Sequence, residues 1–205
     1  TTDIYTLSLH DALPICLNII NSIGDGAWYS VMTGLTTSFM GVYALALGAS
    51  DAMLGWLAAL PALIALLSQV PSAIITERAN SRMRVLWPST VAFRLGYLVF
   101  AFIPFLPVSG ITKAWVFIGL FAVMSFPGTV AGVSWTAMMG DIFPSHLRGR
   151  IFGDRAMLLG IVALVATVSA GPLLDALPYP TNYTVLFLIS FLALLMSLLY
   201  LRRIT

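Results

Sequence analysis

The chain has 205 residues, of which 60% are hydrophobic and only 9% charged, and its formal net charge is +2. With a mean hydropathy of +0.97, that composition excludes a soluble globular domain, and the small basic excess gives no reason to expect nucleic acid as a partner. A single cysteine, Cys16, excludes a disulfide framework and a thiolate metal cluster.

Residues 1–15 (T-T-D-I-Y-T-L-S-L-H-D-A-L-P-I) read as the translation of a common sequencing-library adapter, with Asp3 where the usual reading has Glu. They lack the basic-then-apolar plan of a signal peptide and are set aside as a non-native leader. On that reading the natural N-terminus is absent and residues 16–205 form the domain. A genuine amphipathic leader is the alternative.

Beyond the leader, charges divide the chain into long uncharged intervals. Those bounded by Asp25, Asp51, Glu77, by Lys113 and Asp141, and by Arg155, Asp175 and Arg202 run from 19 to 27 residues, against the roughly 20 that a spanning helix needs. A sixth qualifies if Arg94 is tolerated within it. Six transmembrane helices are therefore predicted, at about 26–47, 52–75, 85–107, 113–140, 151–174 and 183–201.

In helix 1, Tyr29, Thr33, Thr36, Met40 and Tyr43 recur by four and three, which puts them on one face. Gly48 and Ser50-Asp51 then supply a helix stop and a new N-cap. Helix 2 holds Pro61 and Pro71, tolerable where neighbouring helices satisfy the freed carbonyls. Residues 76–84, T-E-R-A-N-S-R-M-R, form the loop before helix 3, and Pro107 with Gly110 end that helix. Helix 4 carries small residues at helical spacing, Ser125, Gly128, Thr129, Gly132, Thr136 and Gly140. Two readings fit this row: close helix packing, as in other small-residue stripes, or a cavity-facing Ser125–Thr129–Thr136 face. A second charged loop, 141–155, precedes helix 5, and Arg202-Arg203 close helix 6.

The arginines orient the bundle. With six spans, Arg78, Arg82, Arg84, Arg148, Arg150, Arg155, Arg202 and Arg203 fall on one side, Lys113 alone on the other, and Arg94 within a span. Basic loops stay cytoplasmic, so both ends of the bundle are expected inside the cell, in the plasma or inner membrane. A faint internal echo, S-F-M-G in helix 1 and S-F-P-G in helix 4, falls three spans apart, the spacing of inverted repeats in transporters.

From about residue 19 onward the sequence resembles the N-terminal six-helix half of a major facilitator superfamily transporter. The loop after helix 2 carries the resemblance, with Ala73, Glu77 and Arg78 at the small, acidic and basic positions of that family's motif and Arg82 and Arg84 as its later positive charge. Asn80 stands where the family has glycine. Pro144, Arg148, Gly149 and Arg150 form a second familiar loop, whereas Gly171-Pro172 lacks the flanking glycines of the antiporter branch. The resemblance implies an all-α membrane protein built as a 3+3 inverted repeat, with helices 1 and 4 facing a missing C-terminal half and helices 3 and 6 facing lipid. It implies a small-molecule solute moved between the halves without a cofactor, and a cytoplasmic gate made of Glu77, Arg78, Arg82, Arg84, Asp141, Arg148 and Arg150.

Within the spans, Tyr29, Thr33, Thr36 and Tyr43 are candidates to line the solute pathway with Ser125, Thr129 and Thr136. Threonine hydroxyls bonding their own helix and tyrosines anchoring at an interface are the competing roles. Arg94, near mid-span, is either a buried hydrogen-bonded or snorkelling arginine or an anion-binding one. Asp25, at the mouth of helix 1, caps it or gates. No catalytic group and no metal ligand set is expected, since the two histidines, His10 and His146, lie in the leader and a loop. A membrane-embedded enzyme would need a His, Asp or Cys cluster at one depth. An inactive truncated product is the remaining alternative to a transporter.

Overall fold

Flanking turns decide where these apolar runs begin and end, and in a computed structural model of the chain, describing residues 9–143 and 145–204, each run is a helix. Helix α1 (Leu9–Thr36) and helix α2 (Met40–Leu47) are joined by a 3-10 turn, Thr37–Phe39, and supply the first span. The other five come from α3 (Asp51–Arg78), α4 (Arg82–Phe102), α5 (Gly110–Ile142), α6 (Ser145–Ala176) and α7 (Thr181–Leu201). The leader reading at residues 1–8 and the Pro144 of the second loop motif lie outside the described residues.

Most helices overrun their predicted ends. The expected loop at 76–84 shrinks to three residues, because α3 continues to Arg78 and α4 starts at Arg82. Charged residues mark where a helix leaves hydrocarbon, not where it stops, and a helix can project through the headgroup layer. At the opposite end, Gly48 terminates α2 with φ 106°, its N–H bonding the carbonyls of Ala44 and Leu45. It also passes close to the next loop, since a Cβ on Gly110 would lie 2.8 Å from the Leu47 carbonyl oxygen.

Helix pairing carries an internal symmetry. The major contacts are α1 with α6 and α7, α5 with α3 and α4, and α4 with α7. Exchanging the first three spans for the last three maps α1·α6 onto α5·α3 and α1·α7 onto α5·α4, and leaves α4·α7 unchanged. That is the packing of a 3+3 repeat. The short echo is not matched in local shape: Thr37–Phe39 is a 3-10 turn, while Ser125–Gly128 lies within continuous α5.

Two apolar clusters hold the bundle. The larger gathers Tyr43, Phe100, Phe117, Leu186, Phe187 and Leu194 towards the end that carries Gly48 and Lys113. The smaller joins Leu86, Met138, Met139, Phe143, Leu201 and Ile204 at the arginine-rich end. The outer faces are apolar too, with Leu63, Leu66, Leu67 and Val70 of α3 and Leu164, Val165 and Val168 of α6 exposed. In a chain of six membrane-length helices those faces meet lipid tails or further helices, and they mark a multi-pass membrane protein.

Candidate functional site

Between the two clusters lies a cavity of about 730 Å³, reached by side chains of α1, α4, α5, α6 and α7. It falls within the size range of small-molecule sites. Its wall combines Tyr29, Thr33, Phe93, Tyr97 and Phe121 with the α5 row Ser125, Gly128, Thr129, Gly132 and Thr136. Three charged residues also line it, Asp25, Arg94 and Arg155.

Arg94 is 4% exposed and Asp25 6%. One guanidinium nitrogen of Arg94, Nη2, lies 3.7 Å from Asp25 Oδ1. Ser197 of α7 links them more tightly: Arg94 Nη2–H donates to Ser197 Oγ at 2.6 Å, and the Ser197 hydroxyl donates to Asp25 Oδ1 at 2.5 Å. The relay ties the first, third and sixth spans. From sequence, Asp25 reads as the mouth of helix 1 and so lies apart from Arg94 near mid-span. In fact α1 begins sixteen residues earlier, at Leu9. Asn18, Ser22 and Asp25 continue the spacing of Tyr29 and Thr33 backwards by four, three and four, and that periodicity was the available signal. Ser197 had none, being one serine in an apolar helix.

Arg155 was assigned to a loop, yet it stands ten residues inside α6, about 15 Å from its start at 1.5 Å per residue. Its Nε–H donates to the Ser22 carbonyl at 3.3 Å, and its guanidinium lies 4.4 Å from the ring centroid of Trp135. Gly26 makes room for it, since a Cβ there would sit 2.4 Å from an Arg155 nitrogen.

Of the seven residues proposed from spacing to line a path, five reach this cavity and two do not. Thr36 is buried and donates to the Met32 carbonyl at 2.8 Å. Tyr43 has no exposed surface and donates to the Phe100 carbonyl at 2.6 Å, with the rings of Phe187, Phe117 and Tyr183 at 4.8, 4.9 and 5.0 Å. The 3-10 turn, which begins after Thr36, explains why Tyr43 leaves the face. It advances about 120° per residue where an α-helix advances about 100°, so three residues rotate the helix beyond it by roughly 60°. Tyr43 is a core pin. Replacing it with Phe is expected to lower stability by about 1 kcal/mol, the net worth of one such hydrogen bond, read from the thermal unfolding midpoint in lipid nanodiscs.

Four hydroxyls of the wall donate to their own helices: Thr33 to Ser30, Ser125 to Phe121, Thr129 to Ser125 and Thr136 to Gly132, at 2.8 to 3.0 Å. Bonding to their own helix, one of the roles expected from sequence, is thus made by side chains that also line the cavity. The small-residue row divides: Gly128 packs against the Phe93 ring, which a Cβ would meet at 3.0 Å, whereas nothing lies within 4 Å of Gly132's missing Cβ.

At the arginine-rich end, Arg82 joins three elements. Its Nε lies 3.3 Å from Asp141 Oδ2 of α5, and its Nη1–H donates to the Thr76 carbonyl at 2.5 Å. Arg148 donates to the Phe143 carbonyl at 2.8 Å and also to that of Gly140. Arg150 lies 3.9 Å from Asp154 on an exposed face, and Glu77, Arg78 and Arg84 are exposed nearby.

A six-helix membrane bundle with a polar, charged cavity between its repeats is the architecture of a membrane transporter. The chain belongs to the Major Facilitator Superfamily, whose family model matches residues 19–205. Comparison with curated proteins and with solved structures found no match. The family is one of membrane transporters.

Proposed function

We propose that the chain acts as the N-terminal half of a secondary transporter or facilitator, which moves a small solute by alternating access against a second six-helix half. The observation that carries this reading is the cavity itself, an open cleft lined within the spans by three charged residues and a row of hydroxyls. Charge inside a membrane bundle is costly and marks a path or a binding site. A second, apolar cavity of about 370 Å³ shares Thr37, Tyr97 and Phe121 with the first and continues beside Met40, Gly41 and Leu57. The Arg82–Asp141 and Arg148 contacts form a cytoplasmic gate at the arginine-rich end, in the cell membrane.

The test is uptake of a labelled solute library into proteoliposomes holding the full product of the reading frame, including whatever it encodes past Thr205. Saturable uptake of at least one solute, lost on Thr129→Leu, is expected. No saturable uptake by monodisperse protein overturns the proposal. Orientation is tested by Arg78→Cys in a Cys16→Ser background: labelling by an impermeant thiol reagent from outside intact cells would refute it.

A further inference from the structure

The charged groups lining the main cavity do not cancel. Arg94 and Arg155 contribute two positive charges and Asp25 one negative, leaving +1. Asp25 pairs with Arg94 through direct approach and through Ser197, and it also attracts Arg155, so one carboxylate is shared between two guanidiniums. Even so, Arg94 is not saturated: its Nη1 is buried and has no hydrogen-bond partner among the described residues. Arg155 is held by one backbone carbonyl and by the face of Trp135, an arrangement that fixes the plane of the guanidinium. Among the described residues no second carboxylate lines the wall. The hydroxyls offer acceptors, which repel an anion; Thr136 adjoins Trp135, while Ser125 and Thr129 lie on α5 towards Phe121. A ligand is therefore polarised across the cavity, with negative charge at the Arg155–Arg94 side and an uncharged body against Phe93, Tyr97 and Phe121.

We infer that this cavity binds a small organic monoanion, its carboxylate held by the Arg155 guanidinium above Trp135 and its apolar body by the aromatic wall. The inference rests on the transporter reading and narrows it to a substrate class. One unit of negative charge matches the surplus; a cation would meet two arginines, and a dianion would leave a charge uncompensated at span depth. A guanidinium fork pairs with a planar carboxylate through two parallel hydrogen bonds, which a neutral amide of the same shape does not reproduce.

The experiment is isothermal titration of the chain in lipid nanodiscs with three matched pairs of probes: benzoate and hexanoate, their neutral amides, and the corresponding amines. Saturable binding is expected for at least one carboxylate, at least ten-fold tighter than for its amide. Arg155→Gln is expected to abolish that preference while leaving amide binding within about two-fold, and Arg155→Lys to retain part of it. Equal affinity for carboxylate and amide, or tighter binding of an amine, overturns the anion assignment and leaves the transporter reading standing. Binding of none of the six likewise overturns the anion assignment, while the transporter reading stands or falls on the uptake assay. If Arg155→Gln does not fold, the wild-type comparison of carboxylate with amide still decides the matter.

Discussion

Replacing Asp25 with leucine will cost the folded chain about 3–5 kcal/mol, the range observed when one member of a buried ion pair is removed. The guanidinium of Arg94, 4% exposed, would keep the Ser197 hydroxyl as its one polar partner, and that hydroxyl would lose the carboxylate to which it now donates. Taking a cation out of water is repaid only by a close counter-charge and satisfied donors, and the substitution removes the first. The measurement is thermal unfolding in nanodiscs together with the monodisperse fraction on size exclusion. The double variant Asp25→Leu, Arg94→Met removes both charges and is expected to recover much of the loss, because neither member of the pair is then left behind without the other. A double variant as unstable as the sum of its singles would show that the two residues are not coupled.

Gly34→Leu is the second large effect expected. A Cβ at Gly34 would lie 2.3 Å from the Ala163 carbonyl oxygen and 2.7 Å from the Ala166 Cβ. The first of these is backbone and cannot swing aside. The helices are further pinned there by Thr167, whose hydroxyl is 2.9 Å from both the Gly34 and the Ala163 carbonyl oxygens. In a membrane this close approach supplies the packing that hydrophobicity supplies in water, so leucine must push α1 and α6 apart. Overpacking costs about 1–3 kcal/mol where side chains yield, and more is expected where a main chain must move. Gly160→Ala, on the same α6 but with nothing within 4 Å of its missing Cβ, is the control and should be neutral or slightly stabilising. Equal losses in the two variants would refute the close-packing argument.

These residues show what was readable in the chain and what was not. The six spans and the family were legible, because uncharged intervals near 20 residues and a one-sided arginine distribution follow from the bilayer itself. Arg94 could be singled out for the same reason. Its partner was harder to find, since Asp25 looks in sequence like the charge that ends a loop, and only its spacing with Tyr29 and Thr33 hints that α1 carries it into the bundle. Arg155 was hidden likewise by a helix that starts earlier than its charges suggest. The G-x-x-x-G of helix 4 drew attention to Gly128 and Gly132, yet the tightest backbone approach is at Gly34. Glycine spacing reports a smooth face but not what packs on it. Tyr43 departs from the Tyr29–Thr33 face because a three-residue change of helix pitch has no distinctive residue code in T-S-F.

The Asp25–Ser197–Arg94 relay also bears on how the bundle is made. Arg94 precedes Ser197 by 103 positions, so at about 5–20 residues per second the arginine awaits its hydroxyl for roughly 5–20 s of translation. Through that delay the nascent first and third spans have each other's charges as the available neutralising partners, and the sixth span arrives to complete an ion pair already in place. Assembly of these six spans is thereby ordered by electrostatics: the sixth span sets the latch, and a ribosome halted before it leaves an assembly held by charge but not yet locked.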